Sequence, residues 1–328
     1  MYERAAQYVQ QCQRIVIASH ANPDGDAIGS TLALGIGLLS LGKQVVMFNA
    51  DGVPRSLRFL PYADRIVRSL SGLAAPDGLI LVDCAQPRRA GKPIEDLART
   101  APPFYIDHHL LPGIRHEDHC IDPRAAATGA VLFALFRAMR IGLSPELAKL
   151  LYCTLVVDTG FFRYSNTSPE VLHLAGDLVA AGADPWEVAS QIEENYSAAR
   201  MPLLQLVLET LELSERGRFA HVTLTLEMLR EAQALPEDAE DFVNYPRAIT
   251  GVEVAALFRQ QDLRRWKASL RSKMEVDVAA ITARFGGGGH EHAAGCTIEG
   301  DLATVRKQIG DEIRKALQRR QGQGNPRP

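Results

Sequence analysis

The chain has 328 residues, and at roughly 150 residues per domain that length predicts two domains. Hydrophobic residues make up 46 % and charged residues 23 %, an ordinary globular mix that excludes a disordered chain. A net charge of −3 argues against a protein that coats long nucleic acid, which needs a basic stripe, but leaves room for a small phosphate-bearing substrate held by a local patch.

In chain order, Arg14 to Ala18 (RIVIA) is the first predicted strand, followed by a loop and a helix from about Ala27 to Ser40 that stops at Gly42. Gln44 to Phe48, Leu79 to Asp83 and Phe104 to Asp107 are the next strands, and Thr128 to Met139 and Pro145 to Val156 are helices. Strands alternating with helices predict a doubly wound, mainly parallel sheet. The nearly continuous apolar runs suit strands covered on both faces. Trp186 to Leu213 is largely helical with a break near Ser197 to Pro202, and reads as a connector. The pattern restarts after Arg218 with the alternating FAHVTLTL, then the strands Val252 to Phe258 and Trp266 to Leu270 and a helix Val276 to Phe285. A glycine run, a short strand Cys296 to Ile298 and a last helix from about Asp301 to Arg319 complete it. The predicted organisation is an α/β domain over 1–190, a helical connector over 191–216, a smaller α/β domain over 217–319 and a disordered tail over 320–328.

The longest apolar stretch, Thr31 to Leu41, is broken by Gly35 and Gly37 and is too short to span a bilayer. The start MYERAAQYVQQCQR lacks the basic-then-apolar pattern of a signal peptide. The five cysteines (Cys12, Cys84, Cys120, Cys153, Cys296) are odd in number and widely spaced, with no CxxC pair. That usage predicts a reduced, cytoplasmic protein without a disulfide framework or a zinc knuckle. Cys84, beside Asp83, reads as a small buried residue.

Four segments carry chemistry. His20-Ala-Asn-Pro-Asp24-Gly-Asp26 follows the first strand and precedes a helix, at the sheet edge where open α/β folds bind ligands. Alone it would read equally as a polar turn with a helix cap at Asp26. Asp83 ends the strand LILVD, Asp107-His108-His109 ends FYID, and Asp158 ends the apolar run in LVVDTGFF. Each acid could cap a local turn, but four segments delivering His or Asp to one edge predict a shared site. Hard carboxylate and imidazole donors from His20, Asp24, Asp26, Asp83, His108 and Asp158 suit two divalent metal ions, manganese first, with magnesium, iron or cobalt as rivals. Two divalent cations would take the formal charge from −3 to +1, so the acidic site itself would attract anions.

HANPDGDAIGS, LVDCA, IDHH and VVDTG resemble the four successive motifs of the DHH phosphoesterase superfamily, and FGGGGHEHAAG (Phe285 to Gly295) resembles the glycine-rich signature of its DHHA1 companion domain. The resemblance covers nearly the whole chain. In size and layout it is nearest to stand-alone members that degrade short oligoribonucleotides and remove the 3′-phosphate of 3′-phosphoadenosine 5′-phosphate (pAp). It implies one metal on His20, Asp24 and Asp83 and a second on Asp26, Asp83, His108 and Asp158, with Asp83 shared. It implies Asp107 as an orienting acid and His109 facing the scissile phosphate. Four consecutive glycines let a backbone approach an anion closely. Gly287, Gly288, Gly289, His290 and Arg271 are accordingly the implied substrate contacts. His292 departs from the common pattern. Arg88, Arg89 and Arg163 read equally as phosphate contacts or surface charges. Short single-stranded oligonucleotides, pAp or dinucleotides are the implied partners, and a second copy docked through the first domain is a candidate. The rival functions are a phosphodiesterase for linear or cyclic dinucleotides (pApA, c-di-AMP), a single-strand DNA exonuclease, a manganese pyrophosphatase and a catalytically silent nucleotide-binding module. The last would have lost a metal ligand, and the pyrophosphatase would lack the glycine signature.

Overall fold

The structure, a computed structural model, describes residues 1–109, 118–273 and 276–321. It forms two compact units, Met1–Asn195 and Tyr196–Pro328.

The first unit runs α1 (Tyr2–Gln11), β1 (Arg14–Ala18), α2 (Gly25–Ser40), β2 (Gln44–Phe48), β3 (Ile66–Val67), β4 (Gly78–Val82), α3 (Lys92–Leu97), β5 (Pro103–Asp107), β6 (His119–Ile121), α4 (Thr128–Met139), α5 (Pro145–Asp158), α6 (Pro169–Ala180) and α7 (Pro185–Glu193). Its strands order as β3-β2-β1-β4-β5-β6, every pairing parallel. Alternate β1 residues serve two cores. Ile15 and Ile17 join the core of α2, α4 and α5, while Val16 and Ala18 join the one under α3. This double covering makes the strand sequences read as unbroken apolar runs. The strand order reverses between β1 and β4, and the crevice beyond the carboxyl ends there is where such sheets take ligands.

α4 coincides with its sequence expectation. α2 begins at Gly25, two residues before the expected Ala27, because the Asp24 carboxylate accepts from Ala27 N at 3.0 Å and caps the helix. The cap is therefore Asp24 and not Asp26. α5 continues through Asp158. The five cysteines are buried with free thiols, and no helix among the described residues is long and apolar enough to cross a membrane.

The second unit contains α8 (Arg200–Leu208), β7 (Glu212–Ser214), β8 (Phe219–Leu224), α9 (Leu226–Glu231), α10 (Asn244–Ala248), β9 (Val254–Gln260), β10 (Arg265–Ser272), α11 (Val278–Ala283), β11 (Gly288–His290), β12 (Ala293–Glu299) and α12 (Leu302–Gln321). The sheet order is β11-β12-β10-β9-β8-β7, with β8 and β9 parallel and the other pairs antiparallel. One face packs Trp266, Ala268, Leu270, Cys296 and Ile298 against α11 and α12. On the other, Ala220, Val222, Ala255 and Leu257 pack with Leu203, Leu229 and Phe242. The expected tail is helical to Gln321, and residues 322–328 lie outside the described residues.

Candidate metal centre

The short turn after β1 places His20 two residues past the strand end, and Asp83 follows β4 directly. These two side chains flank the reversal point, with His20 Nε2 3.4 Å from Asp83 Oδ2 and 3.9 Å from Asp24 Oδ2. Asp83 has φ +50°, a left-handed backbone costly for a non-glycine residue and typical of functional positions.

A second cluster forms beside it. His108 Nε2 lies 3.2 Å from Asp158 Oδ2, 3.8 Å from Asp26 Oδ2 and 3.9 Å from Asp83 Oδ1. Asp26, fully buried on the first turn of α2, reaches across to the start of α4. Its Oδ2 accepts from Thr128 N at 2.7 Å and its Oδ1 from Gly129 N at 3.2 Å and Ser30 Oγ at 3.0 Å. This replaces the side-chain cap that α4 lacks. A Cβ on Gly129 would fall 1.8 Å from Thr154 Oγ1, so only glycine lets α4 approach this closely. Ligating atoms of His20, Asp24 and Asp83 lie within 4.8 Å of one another, as do those of Asp26, His108 and Asp158.

Tautomers test the fit of a cation. His20 Nδ1 donates to Ala21 O at 2.9 Å and His108 Nδ1 to Ala125 O at 3.2 Å. Each ring then turns an Nε2 lone pair toward carboxylate oxygens, an arrangement that repels unless a cation or a proton lies between. His108 Nε2 is buried and makes no hydrogen bond. Electrostatics agree. Burial disfavours charge on His20, but Asp83 and Asp24 outweigh it and raise its pKa to about 9. Burial, then the Asp158 and Asp83 carboxylates, push Asp26 well up. Asp83 is held well below the usual carboxylate range: burial opposes this, but His109 and His20 prevail. The cluster thus draws positive charge to itself, and its hard N/O donors suit divalent first-row ions.

The other DHH residues behave differently. Asp107 is fully buried. Its Oδ1 accepts from His108 N at 2.7 Å, His109 N at 2.9 Å and His109 Nδ1 at 2.7 Å. It thereby fixes the double-histidine turn. His109 lies beside the cluster, its Nδ1 3.4 Å from Asp83 Oδ1.

Supports invisible in the sequence complete the shell. Buried Asn49 donates from Nδ2 to Ser19 Oγ at 3.1 Å and to His20 O at 2.9 Å. Asp51 accepts from Asn22 N at 2.6 Å, and Thr128 Oγ1 donates to Asp83 Oδ1 at 3.5 Å. An amide at the end of β2 was the one available signal for Asn49.

In the second unit, Arg271 is half-buried on β10, and Nη1 donates to Leu270 O at 3.1 Å. The glycines divide. A Cβ on Gly287 would fall 2.2 Å from Gly295 O, and one on Gly289 (φ +146°) 2.4 Å from Ala293 O, whereas Gly288 has open space. Gly287 and Gly289 are thus required for packing against β12, and Gly288 offers a bare backbone. His290 ends β11; its side chain lies outside the described residues. Of the other arginines, Arg88 and Arg89 are exposed, and Arg163 pairs with Glu193 at 3.5 Å.

A parallel sheet with an Asp/His cluster at its reversal point, followed by a glycine-bearing mixed sheet, defines a phosphoesterase of the DHH type. The chain matches the DHH family N-terminal domain over residues 14–155 and the DHHA1 domain over residues 219–319, and it belongs to the DHH/DHHA1 phosphoesterase family. It is 34 % identical to the bifunctional oligoribonuclease and PAP phosphatase NrnA of Thermus thermophilus, across 93 % of this chain and 90 % of that protein. It is 25 % identical to the protein of the same name from Bacillus subtilis, across 87 % and 89 %. Its fold superposes on the crystal structure of an exopolyphosphatase-related protein from Bacteroides fragilis with a TM-score of 0.87, at 27 % identity over 96 % of this chain and 95 % of that one.

Proposed function

We propose that this protein hydrolyses short oligoribonucleotides to mononucleotides and pAp to AMP, in the cytoplasm, with two divalent cations, manganese by preference. The observation that carries this reading is the place of Asp83 between two His/Asp clusters, its Oδ2 3.4 Å from His20 Nε2 and its Oδ1 3.9 Å from His108 Nε2, with both imidazoles turning Nε2 toward carboxylates. His20, Asp24 and Asp83 would hold one cation, and Asp26, Asp83, His108 and Asp158 the other. Bound there, the ions supply the acidity that makes water a nucleophile near neutral pH and the charge that offsets the phosphoryl oxygens. The chain's own work is orientation. Asp107 accepts from His109 Nδ1, and although burial disfavours charge there, Asp107 and Asp83 raise the His109 pKa to about 10, so a doubly protonated ring would offer its opposite N–H to a phosphoryl oxygen as a donor. Thr128 and the α4 amides keep Asp83 and Asp26 aimed. Arg271 and the bare Gly288 backbone hold the neighbouring phosphate, with His290 as a further donor. The names of the two NrnA relatives support the substrate class.

The test is to incubate the full-length protein and Mn²⁺ with pAp, a pentaribonucleotide, pApA, c-di-AMP and pyrophosphate. AMP from pAp and stepwise mononucleotides from the pentamer are expected. Turnover confined to the dinucleotides or to pyrophosphate contradicts the reading.

A further inference from the structure

The second unit carries an unusual row of cations. Trp266, Ala268 and Leu270 of β10 point into the core of α11 and α12, so Lys267 and Arg271 lie on the opposite face. Arg259 shares that face, since its alternating neighbours Ala255 and Leu257 belong to the other core. Register places Lys267 directly opposite Arg259 across the β9–β10 pair. Directly opposed side chains start only about 5 Å apart at Cβ, and like charges there destabilise a sheet. Both groups are half-buried. Burial lowers the pKa of each, and the Arg259 and Arg271 cations lower Lys267 further. The carboxylate that opposes this on both is Glu240, itself raised by desolvation and by Asp241 and Glu237. The Lys267 stem runs toward the glycine-rich strands: its Cε is 4.0 Å from where a Gly295 Cβ would stand, and Gly295 pairs with Gly288.

We propose that Arg259 and Lys267 bind a phosphate of the oligonucleotide beyond the one held at Arg271 and Gly288, so that preference for oligomers over pAp depends on them. The inference rests on the reading of the protein as an oligonucleotide phosphoesterase. An opposed cation pair that shares a single acid gains most from an anion with several oxygens, which neutralises both at once. Arg259 also donates to Pro236 O at 3.3 Å, leaving the rest of its fork for that anion.

The test compares wild type with Arg259→Gln/Lys267→Gln. The ratio of kcat/KM for a pentaribonucleotide to that for pAp should fall about tenfold, mainly through the pentamer's KM. In EDTA, binding of a fluorescein-labelled pentaribonucleotide should weaken similarly, its salt slope becoming shallower by about 0.7 for each phosphate no longer neutralised. An unchanged ratio, or a slope and Kd equal to wild type, overturns the proposal. If wild type hydrolyses neither substrate, the functional reading has failed, and the EDTA binding arm still decides the pair. Weaker binding by the variant then supports the phosphate site, and equal binding, or none by either protein, overturns it.

Discussion

At the carboxyl edge of the first sheet, five aspartates and three histidines converge on one crevice, whereas one face of the second sheet gathers Arg259, Lys267 and Arg271. Both are six-stranded, yet they concentrate charge of opposite sign. In the first, acids from four segments meet at the carboxyl edge of the parallel strands, an arrangement that suits a cation. In the second, the register of the antiparallel pair β9–β10 puts like charges face to face, an arrangement that suits an anion. The lesson is that a modest net charge of −3 conceals two local concentrations of opposite charge, an acidic cluster in one unit and a row of cations in the other.

The comparison can be broken most sharply in the first unit. Asp83→Asn should cut hydrolysis of pAp and of pentaribonucleotide by about 10³-fold or more while circular dichroism stays native; retained activity would remove the shared aspartate from the account. Asp107→Asn comes next, with an expected loss of about 10- to 100-fold, because Oδ1 takes three donors and an amide reproduces them imperfectly. Rates under saturating Mn²⁺ check it. Asn49→Ala should weaken Mn²⁺ binding about tenfold by freeing the Ser19–His20 backbone, as read by isothermal titration. The smallest effect lies in the second unit. His221 is buried between the Phe219 and Phe258 rings. Burial first, and then the Arg306 cation, hold its pKa below the ordinary 6.5. The folded state then binds fewer protons than the unfolded one. Stability from neutral His221 is present above about pH 6.5 and lost as pH falls through the lower folded value. Melting of His221→Gln should depend less on pH between 7.5 and 5.5 than wild type does.

The cluster residues were legible because His20, Asp83, Asp107 to His109 and Asp158 end or closely follow apolar strands or a helix, and Asp24 and Asp26 open the helix after the first of those strands; apolar runs are the strongest signal a doubly wound sheet leaves. β3 and β6 were missed because two- or three-residue edge strands carry no period. β11 was hidden by its glycines, which disfavour strands elsewhere and are needed here for packing on β12. Helices α1 and α6 were overlooked although both are ten residues or longer. What holds the metal-site residues was illegible for a different reason. The hydrogen bond from Thr128 to Asp26 spans 102 residues, and a single sequence gives no pairing between such distant positions. The Arg259–Lys267 opposition is likewise a property of register, visible only once β9 and β10 are paired.

Manganese stoichiometry measures the central claim most directly. Wild-type protein titrated with Mn²⁺ should bind two ions per chain and give an exchange-coupled electron paramagnetic resonance spectrum, the signature of two ions sharing Asp83. One ion per chain, or two with uncoupled spectra, would contradict a shared dinuclear site.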